Sequence, residues 1–285
     1  FAFGPTFVHG RAFAVAIDSQ DRIVVAGDTP KDADPDFGDF VVARFRANGT
    51  LDTTFGQGGF NITDIGDVTN EAHGLKVLAG DKLLVSGFAP IIRSNVNGVD
   101  IVTEPLGAVV RYLENGFPDP AFAPNGRVAL PGDNVGRGLA VQSDGKILLA
   151  GSVNVGTPLV PLNRFAVMRL LANGTIDDSF GTRGRVQTQF TDRGDDAFGV
   201  GVQADDKIVA AGRSSSQLNS NFAIARYESN GAIDTSFDQD GKLTIDFLGS
   251  TDIAENVAIQ SNGKIVLGGI ARDSVDGYGV ARVLP

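Results

Sequence analysis

The chain has 285 residues, a formal net charge of −10 at pH 7 and no cysteine. Nucleic-acid binding needs a basic surface, so the acidic balance argues against it. A chain without cysteine has neither disulfides nor thiolate metal sites. Every apolar run is shorter than the roughly 20 residues that span a membrane, so no membrane insertion is expected. The length suits a single all-β domain covering residues 1–285.

Taken in order, the chain repeats an apolar segment that ends in Ala-Gly or a close variant. Its five copies read AVAIDSQDRIVVAG, GLKVLAGDKLLVSG, GLAVQSDGKILLAG, GVGVQADDKIVAAG and NVAIQSNGKIVLGG. Matched positions in consecutive copies lie 57 to 64 residues apart. Self-similarity at such a period is typical of propellers and other repeat arrays.

A second segment follows in each copy. It reads FVVARFRANGTLDTTFG, GAVVRYLENGFPDPAFA, FAVMRLLANGTIDDSFG and FAIARYESNGAIDTSFD, and a truncated YGVARVLP ends the chain. Short runs of Val, Ile, Leu and Phe predict strands, and the Asp-Gly and Asn-Gly pairs predict tight turns between them. With one more strand after the Phe-Gly turn, each copy predicts a four-stranded antiparallel sheet of roughly 60 residues, the size of a propeller blade.

The combined string QxDGKIxxAG … FAVxRxxxNGxxDxxFGxxG resembles the bacterial delta-60 repeat, a β-propeller repeat family of unassigned function. The resemblance covers nearly the whole chain. It implies a propeller fold and a secreted or surface-attached bacterial protein, located outside the cell, on its surface or in the periplasm. The family brings no catalytic residues, so the resemblance assigns none.

Five copies predict a single five-bladed β-propeller of four-stranded antiparallel blades. The expected blades are residues 11–70, 71–134, 135–194, 195–250, and 251–285 together with 1–10. The last copy ends after its third strand, so the N-terminal strand is expected to supply the fourth and close the ring, which removes exposed sheet edges. A frayed N-terminal remnant is the alternative. We expect the protein to be a monomer.

The first copy carries an acidic stretch, TPKDADPDFGDF. Its carboxylates are Asp32, Asp34, Asp36 and Asp39. Alternate carboxylates in a loop can ligate Ca²⁺, but this is no EF-hand, because Phe37 stands where that loop needs glycine and Ala43 where it needs glutamate. A weak Ca²⁺ site and a solvated acidic loop both fit the pattern. No other cofactor is predicted.

An arginine on the third strand and an aspartate after the Asn-Gly turn recur through the copies. They are Arg44, Arg111, Arg169, Arg226 and Arg282, and Asp52, Asp119, Asp177 and Asp234. Function on a common scaffold resides in residues that are not repeated, so these are expected to be framework. Each guanidinium should bind a neighbouring carboxylate or a turn carbonyl.

The repeat breaks down at the start of the first strand, where charged residues appear. In a propeller this strand lines the central channel, and regular alternation would place matched residues on one face. The residues predicted to converge at the channel mouth are Arg11, Glu71, His73, Arg137, Asp196 and Glu255. Departures from a local rule tend to mark functional positions, so these residues are candidates for ligand binding. A structural plug of ion pairs is the alternative, and in both cases Arg137 should lower the pKa of the carboxylates.

These patterns favour a non-catalytic binding or scaffold module that engages a protein or glycan partner through a propeller face. The sequence has no GxSxG elbow and no P-loop. The alternative is a glycosidase-like carbohydrate-active enzyme that uses Glu71, Asp196 and Glu255 as its carboxylates. The absence of Trp counts against the enzyme, because sugar rings are commonly held by aromatic stacking.

Overall fold

The computed structural model describes residues 10–31, 34–65, 70–89, 91–96, 99–104, 106–130, 134–157, 162–217, 219–247, 249–272 and 276–285. The chain divides into two compact units, residues 1–136 and 137–285. Both consist of antiparallel sheets, and the first unit also contains short 3-10 turns at Ala79–Asp81 and Pro124–Gly126. The predicted all-β fold is confirmed. Within the described ranges, no helix has the length and apolar character to cross a membrane.

The first unit contains two four-stranded sheets. The first sheet consists of β1 (Arg11–Ile17), β2 (Ile23–Lys31), β3 (Asp34–Phe45) and β4 (Phe60–Thr63). The chain then forms β5 (Glu71–Val77), β6 (Leu83–Phe88), a separate hairpin of β7 (Ile91–Val96) and β8 (Val99–Glu104), and finally β9 (Gly107–Tyr112) and β10 (Arg127–Leu130). The second sheet has the order β10-β9-β6-β5, so the hairpin is an insertion between its middle strands.

The remaining three sheets form the second unit, apart from residues 134–136 at the start of the third sheet, which belong to the first unit. The third sheet consists of β11 (Asn134–Val141), β12 (Ile147–Asn154), β13 (Asn163–Leu170) and β14 (Arg185–Thr188). The fourth consists of β15 (Asp195–Val202), β16 (Ile208–Ser215), β17 (Ser220–Tyr227) and β18 (Lys242–Ile245). The fifth has three strands, β19 (Asp252–Ile259), β20 (Ile265–Arg272) and β21 (Asp276–Val283).

Neighbouring sheets within each unit share a hydrophobic core. In the first unit, Phe40 and Val42 on β3 lie in one cluster with Leu83 and Val85 on β6. Phe40 and Val42 are completely buried, and burial of side chains of this size contributes about 1.5–3 kcal/mol each. The second unit repeats this packing twice, between the third and fourth sheets and between the fourth and fifth. Side-chain packing between neighbouring sheets therefore stabilises each unit.

Beyond these apolar residues, the repeated arginine makes the same contacts in four sheets. Its Nε donates to the aspartate Oδ2 at 2.8 Å in Arg44–Asp52, 2.9 Å in Arg111–Asp119, 2.8 Å in Arg169–Asp177 and 2.6 Å in Arg226–Asp234. Its guanidinium lies over the phenylalanine three residues after the aspartate, 4.4 to 4.8 Å from the ring centroid. We call this Arg-Asp-Phe set the arginine latch. It agrees with the framework role expected from the repeat.

The arginine latch also joins neighbouring sheets. Nη1 of Arg44 donates to the carbonyl of Glu114, at the next sheet's Asn-Gly turn, at 2.7 Å. Nη1 of Arg169 reaches the carbonyl of Ser229 in the same way. A charged donor that bonds both its own turn and the neighbouring one fixes the two sheets relative to each other.

The fifth sheet differs from the others, because β21 is its edge among the described residues. Arg282 occupies the latch position on β21, but it is exposed and has no carboxylate partner in the described part of the chain. The predicted closure of this sheet by the N-terminal strand falls on residues 1–8. These lie outside the described residues, so closure stays a prediction.

Candidate functional site

The first strands of four sheets contain a β-bulge near their N-terminal ends. In β1 the pairing passes from Ala12↔Gly27 to Ala14↔Ala26, which leaves Phe13 as an extra residue. The same shift in β5, β15 and β19 leaves His73, Phe198 and Glu255. Arg137 stands at the matched position of β11. We call these five residues the bulge positions. A bulge re-aims the side chains around it, and here it does so where the copies differ most.

A glycine on the second strand makes room for each bulge. A Cβ added to Gly27 would lie 1.8 Å from the carbonyl oxygen of Arg11. The corresponding distances at Gly87, Gly212 and Gly269 are 1.8, 1.9 and 1.9 Å. Only glycine therefore tolerates the facing carbonyl. The glycine that ends each Ala-Gly motif is the sequence signal by which the bulges could have been predicted.

The bulges overturn the face assignment that regular alternation predicted. Residues that pair directly across two strands point to the same face of the sheet. Arg11 pairs with Asp28 and Val15 pairs with Val25. The two β2 residues are three positions apart, an odd number, so they point to opposite faces. Arg11 and Val15 therefore lie on opposite faces, although alternation along β1 placed them on the same one. Glu71 and Asp196 are displaced in the same way, because β5 and β15 carry the same extra residue.

In the first unit, three of the predicted site residues form one cluster. Arg11 forms an ion pair with Asp28, and its Nη2 lies 2.8 Å from Oε1 of Glu71. Oε2 of Glu71 lies 3.0 Å from Nε2 of His73. The side chain of Arg11 is 54% exposed, so this cluster offers a solvent-accessible cation beside a carboxylate.

Aromatic rings surround His73. Its ring centroid lies 4.5 Å from that of Phe13 and 5.4 Å from that of Phe88. The guanidinium of Arg11 lies 5.3 Å from the Phe13 centroid, within the range of a cation–π contact. The imidazole is thus packed between two apolar rings while one nitrogen contacts Glu71, which fixes its position.

The electrostatics of this cluster favour an ionised carboxylate. Burial alone would raise the pKa of Glu71, but the hydrogen bond and charge of His73, together with Arg11, hold it below its ordinary value. The groups that act on Glu71 are therefore its neighbours in the first unit, His73 and Arg11. An anionic Glu71 accepts hydrogen bonds and does not serve as a proton donor at neutral pH.

In the second unit, Arg137 and Asp196 are linked through two residues that the sequence analysis did not single out. The guanidinium carbons of Arg137 and Arg213 lie 4.9 and 5.9 Å from the Phe198 ring centroid. Arg213 donates from Nε and Nη2 to Oδ2 of Asp196 at 3.0 and 2.9 Å. Asn163 donates to Oδ1 at 2.8 Å. Asp196 is therefore fixed by its neighbours, whereas Arg137 is exposed.

The same cross-strand position carries different chemistry in different sheets. Two residues before each bulge position, the first sheet pairs Arg11 with Asp28 and the fourth sheet pairs Asp196 with Arg213. The cation is on the first strand in one sheet and on the second strand in the other. In the fifth sheet the matched pair is apolar, Ile253↔Ile270, beside the exposed Glu255. The predicted convergence of Glu255 with His73, Arg137 and Asp196 joins residues of both units and stays a prediction.

The predicted calcium ligands lie in and just before β3. Asp34, Asp36 and Asp39 belong to this strand, which pairs with β2, so the stretch is a hairpin and not the flexible loop that was expected. Asp39 is buried and accepts a hydrogen bond from Asn70 at 3.2 Å. Asp32 and the side chains of Asp34 and Asp36 lie outside the described residues. The described ranges contain no group of three or more His, Cys, Asp or Glu side chains able to hold a metal ion, and calcium binding stays a prediction.

Three segments match the model of a family described as a domain of unknown function (DUF5122) beta-propeller, at residues 21–55, 142–180 and 203–237. This is a repeat-type β-propeller family. Each segment ends at the phenylalanine of an arginine latch, and none includes a bulge position. The similarity to the family therefore resides in the framework of the repeat. Among curated proteins, no sequence matches the chain.

Two solved structures are similar to this chain at low identity. One is an ulvan lyase of polysaccharide lyase family PL25, with 10% identity and a TM-score of 0.43, covering 97% of this chain and 70% of that one. The other is Sqt1 from Chaetomium thermophilum, with 14% identity and a TM-score of 0.37, covering 92% of this chain and 67% of that one. Neither similarity, at a TM-score below 0.5, is evidence of a shared activity.

Proposed function

We propose that the chain is a non-catalytic binding module and that the bulge positions, with the charged residues Arg11 and Glu71 beside them, carry its ligand contacts. The observation that carries the proposal is the contrast within each copy. The arginine latch recurs almost unchanged, whereas the bulge positions hold Phe, His, Arg, Phe and Glu. Bulges are common beside functional sites because they re-aim side chains, and function on a shared scaffold resides in residues that are not repeated.

The two units present different groups to a ligand. The first unit offers the exposed cation of Arg11 beside the anion of Glu71 and the rings around His73. The second offers the guanidinium of Arg137 against Phe198. Charged donors and acceptors next to aromatic rings suit the polar surface of a protein or glycan partner.

The described carboxylates with a shifted pKa do not supply the acid that hydrolysis needs. A glycosidase needs one carboxylic acid with a raised pKa and a second carboxylate at a fixed distance. The pKa of Glu71 is lowered, so Glu71 does not suit the role of the acid. Burial raises the pKa of Asp195, but this side chain is fully buried and accepts hydrogen bonds from the amides of Phe190 and Thr191 at 2.9 and 3.2 Å. Asp195 therefore stabilises a turn and does not face a substrate.

A glycan array probed with labelled protein, run beside a reducing-end hydrolysis assay on the same glycans, tests this function. We expect the protein to bind glycans on the array without releasing new reducing ends in the hydrolysis assay. Arg137→Ala and Glu71→Gln should each lose this binding. Lys76→Ala is the matched control, because Lys76 is an exposed charge on β5 away from the bulge. Hydrolysis that disappears in Glu71→Gln would instead support the carbohydrate-active enzyme.

We further propose that the repeat is of the delta-60 type, in a secreted or surface-attached bacterial protein, and that residues 1–8 supply the fourth strand of a closed five-bladed propeller. The support is the resemblance of the repeat string and the three-stranded fifth sheet with β21 at its edge. Deletion of residues 1–8 should lower the melting temperature, because an unpaired edge loses its strand partner. An unchanged melting temperature would contradict this closure.

A further inference from the structure

Five buried side-chain oxygens have no hydrogen-bond partner in the described part of the chain, and four of them share one place in the repeat. The five are Oγ1 of Thr29, Oδ1 of Asn70, Oε1 of Gln203, Oδ1 of Asn221 and Oδ1 of Asp252. All but that of Gln203 lie where the third strand of one sheet passes the start of the next sheet's first strand. Buried polar atoms are nearly always bonded to protein, water or an ion, so four at one place need a common cause.

Two matched residues meet at this place, and we call them the seam pair. The first stands just before the buried phenylalanine of the third strand. The second stands at or just before the beginning of the next sheet's first strand. The seam pairs are Asp39 with Asn70, Arg164 with Asp195, and Asn221 with Asp252. The first pair lies in the first unit and the other two lie in the second, so no pair spans both units.

The seam pair of the third and fourth sheets contains its own cation. Nη1 of Arg164 donates to the carbonyl of Thr191 at 2.9 Å. Burial raises the pKa of Asp195, and the positive charge of Arg164 acts in the opposite direction. Both carboxylate oxygens of Asp195 accept hydrogen bonds, Oδ2 from two amides and Oδ1 from the hydroxyl of Thr191 at 3.2 Å. Neither oxygen of this carboxylate is therefore left unsatisfied.

In the first unit an aspartate stands at the arginine position. Nδ2 of Asn70 donates to Oδ1 of Asp39 at 3.2 Å, which settles which end of the amide is the oxygen. Thr29 pairs directly with Asp39 across β2 and β3, so the two side chains share a face. Asn70 and Thr29 are 0% and 2% exposed, and in the described ranges no donor reaches either side-chain oxygen. Two buried acceptors thus lie beside a carboxylate.

The fourth and fifth sheets have the same two residue types with the positions exchanged. Asn221 stands at the arginine position and Asp252 at the aspartate position. Asp252 is completely buried, and its Oδ2 accepts from the amide of Phe247 at 2.8 Å. Its Oδ1 has no matched hydroxyl donor, because Leu248 stands where the preceding copy has threonine. Ser220, next to Asn221, donates to the carbonyl of Asp252 at 3.3 Å, so the two members of this pair are adjacent.

We propose that each of these two seams binds a hard metal cation, which takes the place of the Arg164 guanidinium. Each seam pair has one aspartate, one asparagine and no arginine. Carboxylate and amide oxygens are ligands of hard cations, and a buried carboxylate is normally paired with a cation or bound to a metal. The cation coordinates the oxygens that lack a donor. Binding here does not depend on the ligand contacts at the bulge positions.

The charge of the seam pairs favours Na⁺ or K⁺. Each pair has a single carboxylate, and the guanidinium of the remaining seam carries a single positive charge. Ca²⁺ takes 6–8 oxygen ligands and commonly several carboxylates. It is the alternative at Asp39, the one member of the predicted calcium set whose side chain is described.

Thermal unfolding in different salts tests for the cation. We expect the melting temperature of the wild-type chain to be about 2–4 °C higher in sodium or potassium chloride than in choline chloride of equal ionic strength, because choline is too large to enter a seam. A rise in calcium chloride alone that Asp39→Asn removes would assign Ca²⁺ to the first seam. Equal melting temperatures in all four salts would overturn the proposal.

A double variant shows whether the seams cause the difference. Asp39→Asn with Asp252→Asn should remove the rise, and each change keeps an oxygen that can accept the described hydrogen bond, so folding should persist. Asp195→Asn is the matched control, since its seam already contains Arg164, and it should keep the rise. A double variant that responds to salt as the wild type does would overturn the assignment to the seams.

Asn221→Arg provides a test with the opposite sign. It restores the residue type of Arg164 opposite Asp252. In choline chloride it should therefore raise the melting temperature above that of the wild type, and it should reduce the gain from sodium or potassium. If this substitution lowers the melting temperature equally in every salt, the seam of the fourth and fifth sheets does not hold a cation.

Crystals grown in rubidium chloride locate the ion, because rubidium substitutes for K⁺ and scatters anomalously. A peak is expected beside Oδ1 of Asn70 and beside Oδ1 of Asp252, and none beside Asp195. Ordered water at both places, without an anomalous peak from rubidium or from calcium at long wavelength, would overturn the proposal.

Discussion

The arginine latch and the bulge positions lie on the same sheets but differ in burial, in bonding partners and in how far they recur. Latch arginines such as Arg44 and Arg226 are 4% and 5% exposed, and each is bonded to an aspartate and stacked on a phenylalanine. Bulge positions such as Arg137 and Glu255 are exposed and differ from copy to copy. Within a single sheet, therefore, the buried contacts that stabilise the fold are the same in each copy, whereas the solvent-facing residues change from copy to copy.

The largest effect should come from breaking an arginine latch. Arg169→Leu leaves Asp177 buried without its arginine, and removing one partner of a buried ion pair costs about 3–5 kcal/mol. Arg282→Leu is the matched control, because Arg282 occupies the same position without a carboxylate partner in the described part of the chain. It should change the free energy of unfolding by less than about 0.5 kcal/mol. Equal losses in urea unfolding would contradict the role of the latch.

The bulge itself is the next target. Gly269→Ala would place a Cβ 1.9 Å from the carbonyl of Ile253, whereas a Cβ on the neighbouring Gly268 meets nothing within 4 Å. We expect Gly269→Ala to destabilise the fold by about 2–3 kcal/mol, at the upper end of ordinary single substitutions. Gly268→Ala should be neutral or slightly stabilising. If both variants melt at the same temperature, the bulge does not depend on this glycine.

A smaller effect should appear in acid. Burial alone would raise the pKa of the latch aspartates, but hydrogen bonds from neighbouring hydroxyl, lysine and amide groups, together with the arginine, hold it below the ordinary value. Because the folded pKa is below the unfolded one, this stability is complete above about pH 5 and is lost as the pH falls below about 4. Asp234→Asn should flatten the decline of unfolding free energy between pH 5 and 2.5. The exposed Asp178→Asn should leave it unchanged.

The repeat string was sufficient to predict the strands of the five repeated sheets and the pairing of the latch arginine with its aspartate. Apolar runs and Asn-Gly turns depend on neighbouring residues only, so strands such as β13 and β17 follow directly from local pattern. The pairing of Arg169 with Asp177 follows from their recurrence at one spacing. Contacts that every copy makes can be recognised by comparing the copies.

The candidate site was less predictable, for a physical reason. Alternation along a strand assumes regular pairing, and one extra residue such as Phe13 exchanges the faces of everything before it. The cause lies on another strand, at Gly27, so no inspection of β1 alone would reveal it. Partners such as Arg213 were also missed, because their position on β16 becomes meaningful only once β15 is paired with it.

The measurement that tests the central claim most directly is the free energy of unfolding of Arg137→Ala beside its binding on the glycan array. Arg137 is exposed and held by a ring contact with Phe198. A residue that serves binding should lose the ligand signal while stability changes by no more than about 0.5 kcal/mol, as for surface substitutions generally. A loss of about 3 kcal/mol or more, the cost of breaking a buried ion pair, would show that the bulge positions form a structural plug, and it would contradict the division between stabilising latch and binding bulge.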